Sequence, residues 1–215
     1  MSGEYTAPVE DLRFIINDVL NAEQLFQSRH YSHVDSDLIT AVLEEGGKFA
    51  SEILAPINKT GDEQGSRLVN GRVVTPPGFR EAYQKYIEAG WLGLDLPEEF
   101  GGQNLPCVLQ AAFAEMVVGA CLSFSMLPLM GRAASRLLIK HADEHIRDSV
   151  VPELVSGKWA ATICISESQA GSDVGRIRTK AVKNTDGSYT LTGTKIFISF
   201  GDQDFTEQII HMVLA

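Results

Sequence analysis

The stretch Trp159-Ala-Ala-Thr-Ile-Cys-Ile-Ser-Glu-Ser-Gln-Ala-Gly-Ser-Asp-Val174 decides how the rest of the chain is read. Ala161 to Ile165 is short, apolar and rich in β-branched residues, the pattern of a buried strand. Polar chemistry follows at once. Ser166, Glu167, Ser168 and Gln169 bring hydroxyls, a carboxylate and an amide, and Gly171 frees the backbone for a tight turn or a close approach to a ligand. By composition alone the same residues describe an ordinary surface turn. A strand that delivers such a loop to one edge is also a common way to build a binding site.

On the N-terminal side of this stretch the apolar residues recur at helical spacing. Pro8 opens a helix expected to reach about Phe26, with Leu12, Ile15, Ile16, Val19 and Leu20 on its apolar side. Asp35 or Ser36 caps a second, which carries Leu38, Val42, Phe49, Ile53 and Leu54; Gly46-Gly47 weakens its middle and Pro56 stops or kinks it. Asn58 to Pro77 reads as a loop with a short hairpin at Arg67 to Val74 around Asn70-Gly71. Helices follow over Phe79 to Ala89, closed by Gly90, and over Leu105 to Gly119, Met130 to Lys140 and Asp143 to Val150. Pro152 to Trp159 reads as a linker.

On the C-terminal side the period turns extended. Arg178 to Lys183, Tyr189 to Thr192, Lys195 to Ser199 and Ile209 to Leu214 are the expected strands, with Asp186-Gly187 as a hairpin turn. The predicted fold class is therefore α+β, an N-terminal helical bundle over residues 1–157 followed by antiparallel β-structure over 158–215.

Composition narrows the function. A chain of 215 residues with 44% hydrophobic content can bury a sizeable core, and a net charge of −10 with pI near 4.9 argues against a nucleic-acid partner, which calls for a basic patch. Cys107, Cys121 and Cys164 are odd in number and widely spaced, so neither a disulfide framework nor a zinc spacing is read, and a cytoplasmic setting fits. The first eight residues lack the basic and apolar regions of a signal peptide. Ala111 to Leu129 is apolar but broken by Glu115, Gly119 and Pro128, which suits a core helix and no transmembrane segment. His30, His33, His141, His145 and His211 form no ligand pattern, and no Walker or dinucleotide glycine motif occurs.

Three stretches resemble one family. Ile163-Cys-Ile-Ser-Glu-Ser-Gln-Ala-Gly-Ser-Asp173 with Thr179-Lys-Ala181 resembles the flavin and substrate signature of the acyl-CoA dehydrogenases, Thr-Glu-Pro-x-Ala-Gly-Ser-Asp, with Ser166 for the Thr and Ser168 for the Pro. Gly90-Trp-Leu-Gly-Leu-Asp-Leu-Pro-Glu-Glu-Phe-Gly-Gly-Gln-Asn-Leu-Pro106 is similar to a segment of that family's helical domain. Gly193-Thr-Lys-Ile-Phe-Ile-Ser199 is similar to its Asn-Gly-x-Lys-x-(Trp/Phe)-Ile-(Thr/Ser), with Thr192 for the Asn. Tyr5 to Phe14 also resembles the N-terminal segment of a long-chained branch that contains the methylmercaptopropionyl-CoA dehydrogenases.

The resemblance implies an FAD-dependent oxidoreductase of the β-oxidation type, which converts an acyl-CoA thioester to a trans-2-enoyl-CoA and passes electrons to an electron-transferring flavoprotein or a similar acceptor. It implies a homodimer or homotetramer for the complete protein, a barrel-like continuation of the β part, and a C-terminal four-helix domain that these residues do not supply. By their match to the motifs, Ile163, Ile165 and Ser166 would face the flavin, Phe197 and Ser199 would meet it from the neighbouring segment, and Ser172 and Gly171 would meet the CoA arm. Leu122 to Met130 falls where the family lines its acyl cavity, although a run of Met and Phe at helical spacing is more often plain core.

No residue is named as the catalytic base. The family's proton-abstracting Glu is expected beyond residue 215, and Glu167 reads as a solvated or structural acid. The 215 residues alone are expected to be inactive and to hold FAD weakly or not at all. The rival readings are a flavin- or CoA-binding subunit without turnover and a helical interaction fragment.

Overall fold

The computed structural model describes residues 5–26 and 30–215. The first four residues, part of the segment read for a signal peptide, lie outside them. Two short helices, α1 (Val9–Phe14) and α2 (Ala22–Phe26), replace the single N-terminal helix of the sequence reading. A π-helical turn over Ile15–Val19 and a left-handed Asn21, with φ of 47°, interrupt it.

The second helix starts as expected. Asp35 caps α3 (Ser36–Lys48) by accepting a hydrogen bond from the Leu38 amide at 2.8 Å, which satisfies one of the free N–H groups of the first turn. It does not stop at Pro56. A π-helical stretch, Phe49–Leu54, shifts the register and runs directly into α4 (Ala55–Gln64), so the widened turn takes up Pro56 without breaking the helix. The expected loop thus begins at Gly65, with φ of 60°. Beyond it β1 (Arg67–Val69) and β2 (Arg72–Val74) form the expected hairpin, in which Asn70 and Gly71 both take positive φ, 52° and 80°, as a type I′ turn requires.

The remaining helices are α5 (Phe79–Glu88), α6 (Cys107–Ala120), α7 (Leu122–His141) and α8 (Glu144–Val155). Two corrections concern proline. The sequence reading starts a helix at Met130, whereas α7 begins at Leu122 and runs through Pro128; it ends a helix at Val150, whereas α8 runs through Pro152 to Val155 and shortens the linker to Ser156–Lys158. Both prolines are embedded in packed helices, where tertiary contacts outweigh one lost hydrogen bond.

The core of the helical part is aromatic. Trp91 stacks on Phe113 with ring centroids 4.2 Å apart, and Phe49, Tyr86 and Phe124 pack around them. This is why the Gly- and Pro-punctuated segment from Gly90 to Pro106 wraps here: its backbone turns around a buried indole. Asp95, whose side chain is 1% exposed, fastens that segment to α7 through a bidentate pair with Arg132, at 2.8 and 2.7 Å, and a second pair with Arg136. Burial works against the Asp95 charge, yet the two guanidinium groups hold its carboxyl below the usual range.

The extended part holds β3 (Trp159–Cys164), β4 (Lys180–Lys183), β5 (Tyr189–Thr192) and β6 (Gln208–Val213). β4 and β5 are antiparallel as expected. β3 and β6 are parallel, from Trp159 opposite Gln208 to Cys164 opposite Val213, which the antiparallel expectation missed. The intervening chain, hairpin included, is long enough to serve as the crossover that a parallel pair needs. Because side chains alternate along a strand, Ala160 of β3 enters the aromatic core while Ala161 enters a second core with Leu96, Phe100, Leu138, Val151 and Leu154.

A second tie crosses from the helices to the extended part. Phe205 stacks on Tyr83 at 5.5 Å, and the Tyr83 hydroxyl donates to the Gly157 carbonyl at 3.0 Å. Asp202 accepts from the Val73 amide at 2.9 Å and pairs with Arg72, and Asp204 accepts from the Thr75 hydroxyl at 2.5 Å.

Candidate functional site

The strand β3 delivers residues 165–179 to its C-terminal end. There the chain is organised by one buried carboxylate. Glu167 Oε1 accepts from the Thr179 amide at 3.0 Å, the Thr179 hydroxyl at 2.5 Å and the Lys195 ammonium at 2.9 Å. Its Oε2 accepts from the Arg178 amide at 2.9 Å and Gln169 Nε2 at 2.6 Å. The side chain is 4% exposed, so of the two readings the sequence left open it is the structural acid and not the solvated one. The Thr179 hydroxyl, the Arg178 amide and Lys195 together outweigh burial and hold the carboxyl far below its ordinary range. A carboxylate so engaged has no lone pair left for a substrate proton.

Lys195 does more than pair. Its ammonium, on a side chain 10% exposed, also donates to the Ile165 carbonyl at 2.9 Å, and the adjacent Ile196 amide donates to the Ser166 carbonyl at 2.9 Å. Residues 165–167 and 195–196 are therefore joined side by side. The junction carries no ladder beyond it. Lys195 to Ser199, expected as a strand, is irregular, because Phe197 and Phe200 take left-handed φ of 59° and 53°, which ends any continuous pairing. Gly193 permits the close approach of this segment to the loop: a Cβ there would lie 2.2 Å from Thr179 Oγ1 and 2.8 Å from Thr179 Cα.

The sequence-predicted residues fall around this junction. Ile163 and Ser166 are half-buried, Ile165 is 36% exposed, and Phe197 is 91% exposed, the side chain of a large aromatic standing in open space. Ser199 is exposed. Gly171 and Ser172 lie farther along the loop, both exposed, and a Cβ at Gly171 would touch nothing. The residues that hold the junction, Gln169, Arg178 and Lys195, carry no role in the sequence reading. Gln169, Thr179 and Lys195 do belong to the motifs, and that membership is the signal that could have found them.

Away from the loop, Leu122 to Met130 is the first half of α7. Phe124, Leu127 and Pro128 are buried there, while Leu122 and Leu129 are exposed, so the run is both core and surface. A cavity of about 50 Å³ between α6 and α7 is lined by Ser125, Leu129, Val118, Gln110 and Arg132. Among the described residues no helix is long and apolar enough to cross a membrane.

Residues 38–158 match the family model for the acyl-CoA dehydrogenase N-terminal domain, more than half of the chain, and the chain belongs to the acyl-CoA dehydrogenase family. It is 41% identical over 211 residues to the 3-methylmercaptopropionyl-CoA dehydrogenase of Ruegeria pomeroyi, covering 98% of this chain and 36% of that protein. The chain thus spans about a third of that relative's length. Its fold is similar to butyryl-CoA dehydrogenase of Megasphaera elsdenii, with a TM-score of 0.66 at 22% identity over 78% of this chain and 42% of the other. It is also similar to an acyl-CoA dehydrogenase complexed with FAD from Bacillus anthracis, with a TM-score of 0.62 at 23% identity over 77% of this chain and 27% of the other.

Proposed function

We propose that this chain forms the helical part and one flavin-facing wall of an FAD-dependent dehydrogenase that oxidises an acyl-CoA thioester to a trans-2-enoyl-CoA. The observation that carries the reading is the junction that ties Ser166 to Ile196, directly before the Phe197–Ser199 segment, with the Phe197 ring left uncovered at 91% exposure. A non-glycine residue at positive φ is costly, and an uncovered aromatic ring held in that conformation offers a flat apolar face to a planar partner.

The residues fit a flavin. Ile163, Ile165 and Phe197 offer apolar surface to a ring system, and the hydroxyls of Ser166 and Ser199 offer hydrogen bonds to its polar edge. When bound, FAD supplies the two-electron oxidant. Ser166 would fix the ring's polar edge, the apolar side chains would keep water from its face, and Ser172 with the uncrowded Gly171 backbone would meet the CoA arm. No group among these residues is assigned as the base, since Glu167 is fully engaged.

For the acyl group we infer a 3-methylmercaptopropionyl-CoA-type thioester, supported by the 41% identity to a relative of that name. An electron-transferring flavoprotein as acceptor, a homo-oligomer and a cytoplasmic setting complete the proposal. A second reading, a flavin- or CoA-binding piece without turnover, is favoured by the same engagement of Glu167.

The test is anaerobic. Purified chain receives FAD, then 3-methylmercaptopropionyl-CoA or butyryl-CoA, while the flavin band and the amide resonances of Gly171 and Ser172 are followed. Resonance shifts at those two residues without bleaching are expected. Substrate-dependent bleaching would show that a base lies within these residues, and unmoved resonances would remove the CoA assignment.

A further inference from the structure

Taking the site as a flavin wall leaves its two buried charges without a role. Glu167 and Lys195 are 4% and 10% exposed in a loop whose remaining site residues are half-buried or exposed. A buried ion pair is a weak source of stability, because desolvation of both charges offsets much of their attraction; fixing one conformation among several is a better-attested use. The bonds here follow that pattern.

The Lys195 ammonium donates to the carbonyl of Ile165 and to the carboxylate of Glu167, each at 2.9 Å, and so brackets Ser166 from both sides. Between these two bonds the Ile196 amide donates to the Ser166 carbonyl, also at 2.9 Å. Phe197 and Ser199 follow directly along the chain from this triple junction. On its other side the Glu167 carboxylate gathers the amides of Arg178 and Thr179, which fixes the far end of the loop that carries Gly171 and Ser172.

We propose that Glu167 and Lys195 are a pair of positioning residues. Through them Ser166, Phe197 and Ser199 are held as one wall, and the loop bearing Gly171 and Ser172 is anchored to the same point. The pair touches neither flavin nor thioester; it acts through the residues it ties. The flavin part of this proposal rests on the function proposed above.

The experiment compares the whole 215-residue chain with Lys195→Met, Lys195→Arg and Glu167→Gln. Amide hydrogen exchange is followed at Arg178, Thr179, Ile196, Phe197 and Ser199, with the amides of α6 as an internal reference. Lys195→Met and Glu167→Gln are expected to speed exchange at the loop amides about tenfold or more while α6 is unchanged. Lys195→Arg, which keeps the charge and several donors, is expected to restore most of the protection. FAD titration should show half-saturation moved up about tenfold in Lys195→Met, the equivalent of one lost hydrogen bond, with Lys195→Arg between it and the parent.

Exchange and FAD response identical in the parent and Lys195→Met would overturn the proposal. A parent chain that leaves FAD untouched would show that these residues alone do not hold it; the pair is then judged by exchange at Ile196, Phe197 and Ser199, and unchanged rates there would overturn it. Should Lys195→Met fail to fold, the nearly isosteric Glu167→Gln decides by the same measurement.

Discussion

Glu167 and Lys195 lie 2.9 Å apart, both nearly buried, and the bonds they make connect three separate segments of the chain. That relationship gives the loop a predictable response to acid. The folded-state carboxyl of Glu167 is held well below its ordinary value of 4.5, by the Thr179 hydroxyl first and the Arg178 amide next. A depressed folded value means that the contribution to stability is complete above the ordinary value and is lost as pH falls through the folded one. Urea unfolding from pH 7 downward should therefore show the parent's advantage over Glu167→Gln constant to about pH 5 and shrinking below it. An advantage that grows on acidification would contradict this account. Asp95 and Asp202 are also depressed, but they are common to both proteins and cancel in the comparison.

The Gly193 position supplies a steric test. An added Cβ would fall within 2.8 Å of the Thr179 backbone as well as its hydroxyl, so the segment must retreat from the loop. Gly193→Ala should cost about 2 kcal/mol by the usual scale of overpacking. Calorimetry would check this, and a melting temperature equal to the parent's would show that the contact is not tight in solution.

Asp95 predicts a separate loss. Replacement by Asn removes the charge that two arginines share, and leaves Arg132, 19% exposed, without its carboxylate. Hydrogen bonds to charged groups of this kind are worth about 2 kcal/mol, and urea denaturation at neutral pH should show a decrease of that order. Unchanged stability would mean that water replaces the carboxylate without cost.

Phe205 should matter for the attachment of the extended part. It is 5% exposed and stacked on Tyr83, so Phe205→Ala removes a buried ring and the stack together. The expected cost is about 3 kcal/mol. Proteolysis should then cut first between Gly193 and Thr206, whereas cleavage unchanged from the parent would argue that Asp202 and Asp204 suffice as the tie.

Local chemistry made parts of this fold legible in the sequence. Asp35 as a cap and Asn70-Gly71 as a type I′ turn depend on neighbours within a few residues, and both are found where expected. The helix bounds expected near Pro56, Pro128 and Pro152 fall short because a register shift in the first case, and packing in the others, absorbs the missing N–H. Lys195 to Ser199 is a short apolar run like a strand, but Phe197 takes a left-handed φ just after Ile196 bonds to Ser166, a contact distant in sequence. The parallel pairing of β3 with β6 is non-local in the same way. At the site, motif membership points to Ser166 and Phe197, while the roles of Gln169 and Arg178 depend on three-dimensional proximity to Glu167.

The most direct test of the central claim, that the Ser166 and Phe197–Ser199 segments form a flavin wall, is an NMR titration of isotopically labelled chain with FAD up to millimolar concentration. The account predicts weak, saturable shifts confined to Ile163, Ile165, Ser166 and the Phe197–Ser199 segment. Shifts centred instead on the open groove lined by Lys48, Phe49, Trp91 and Gln103 would contradict it.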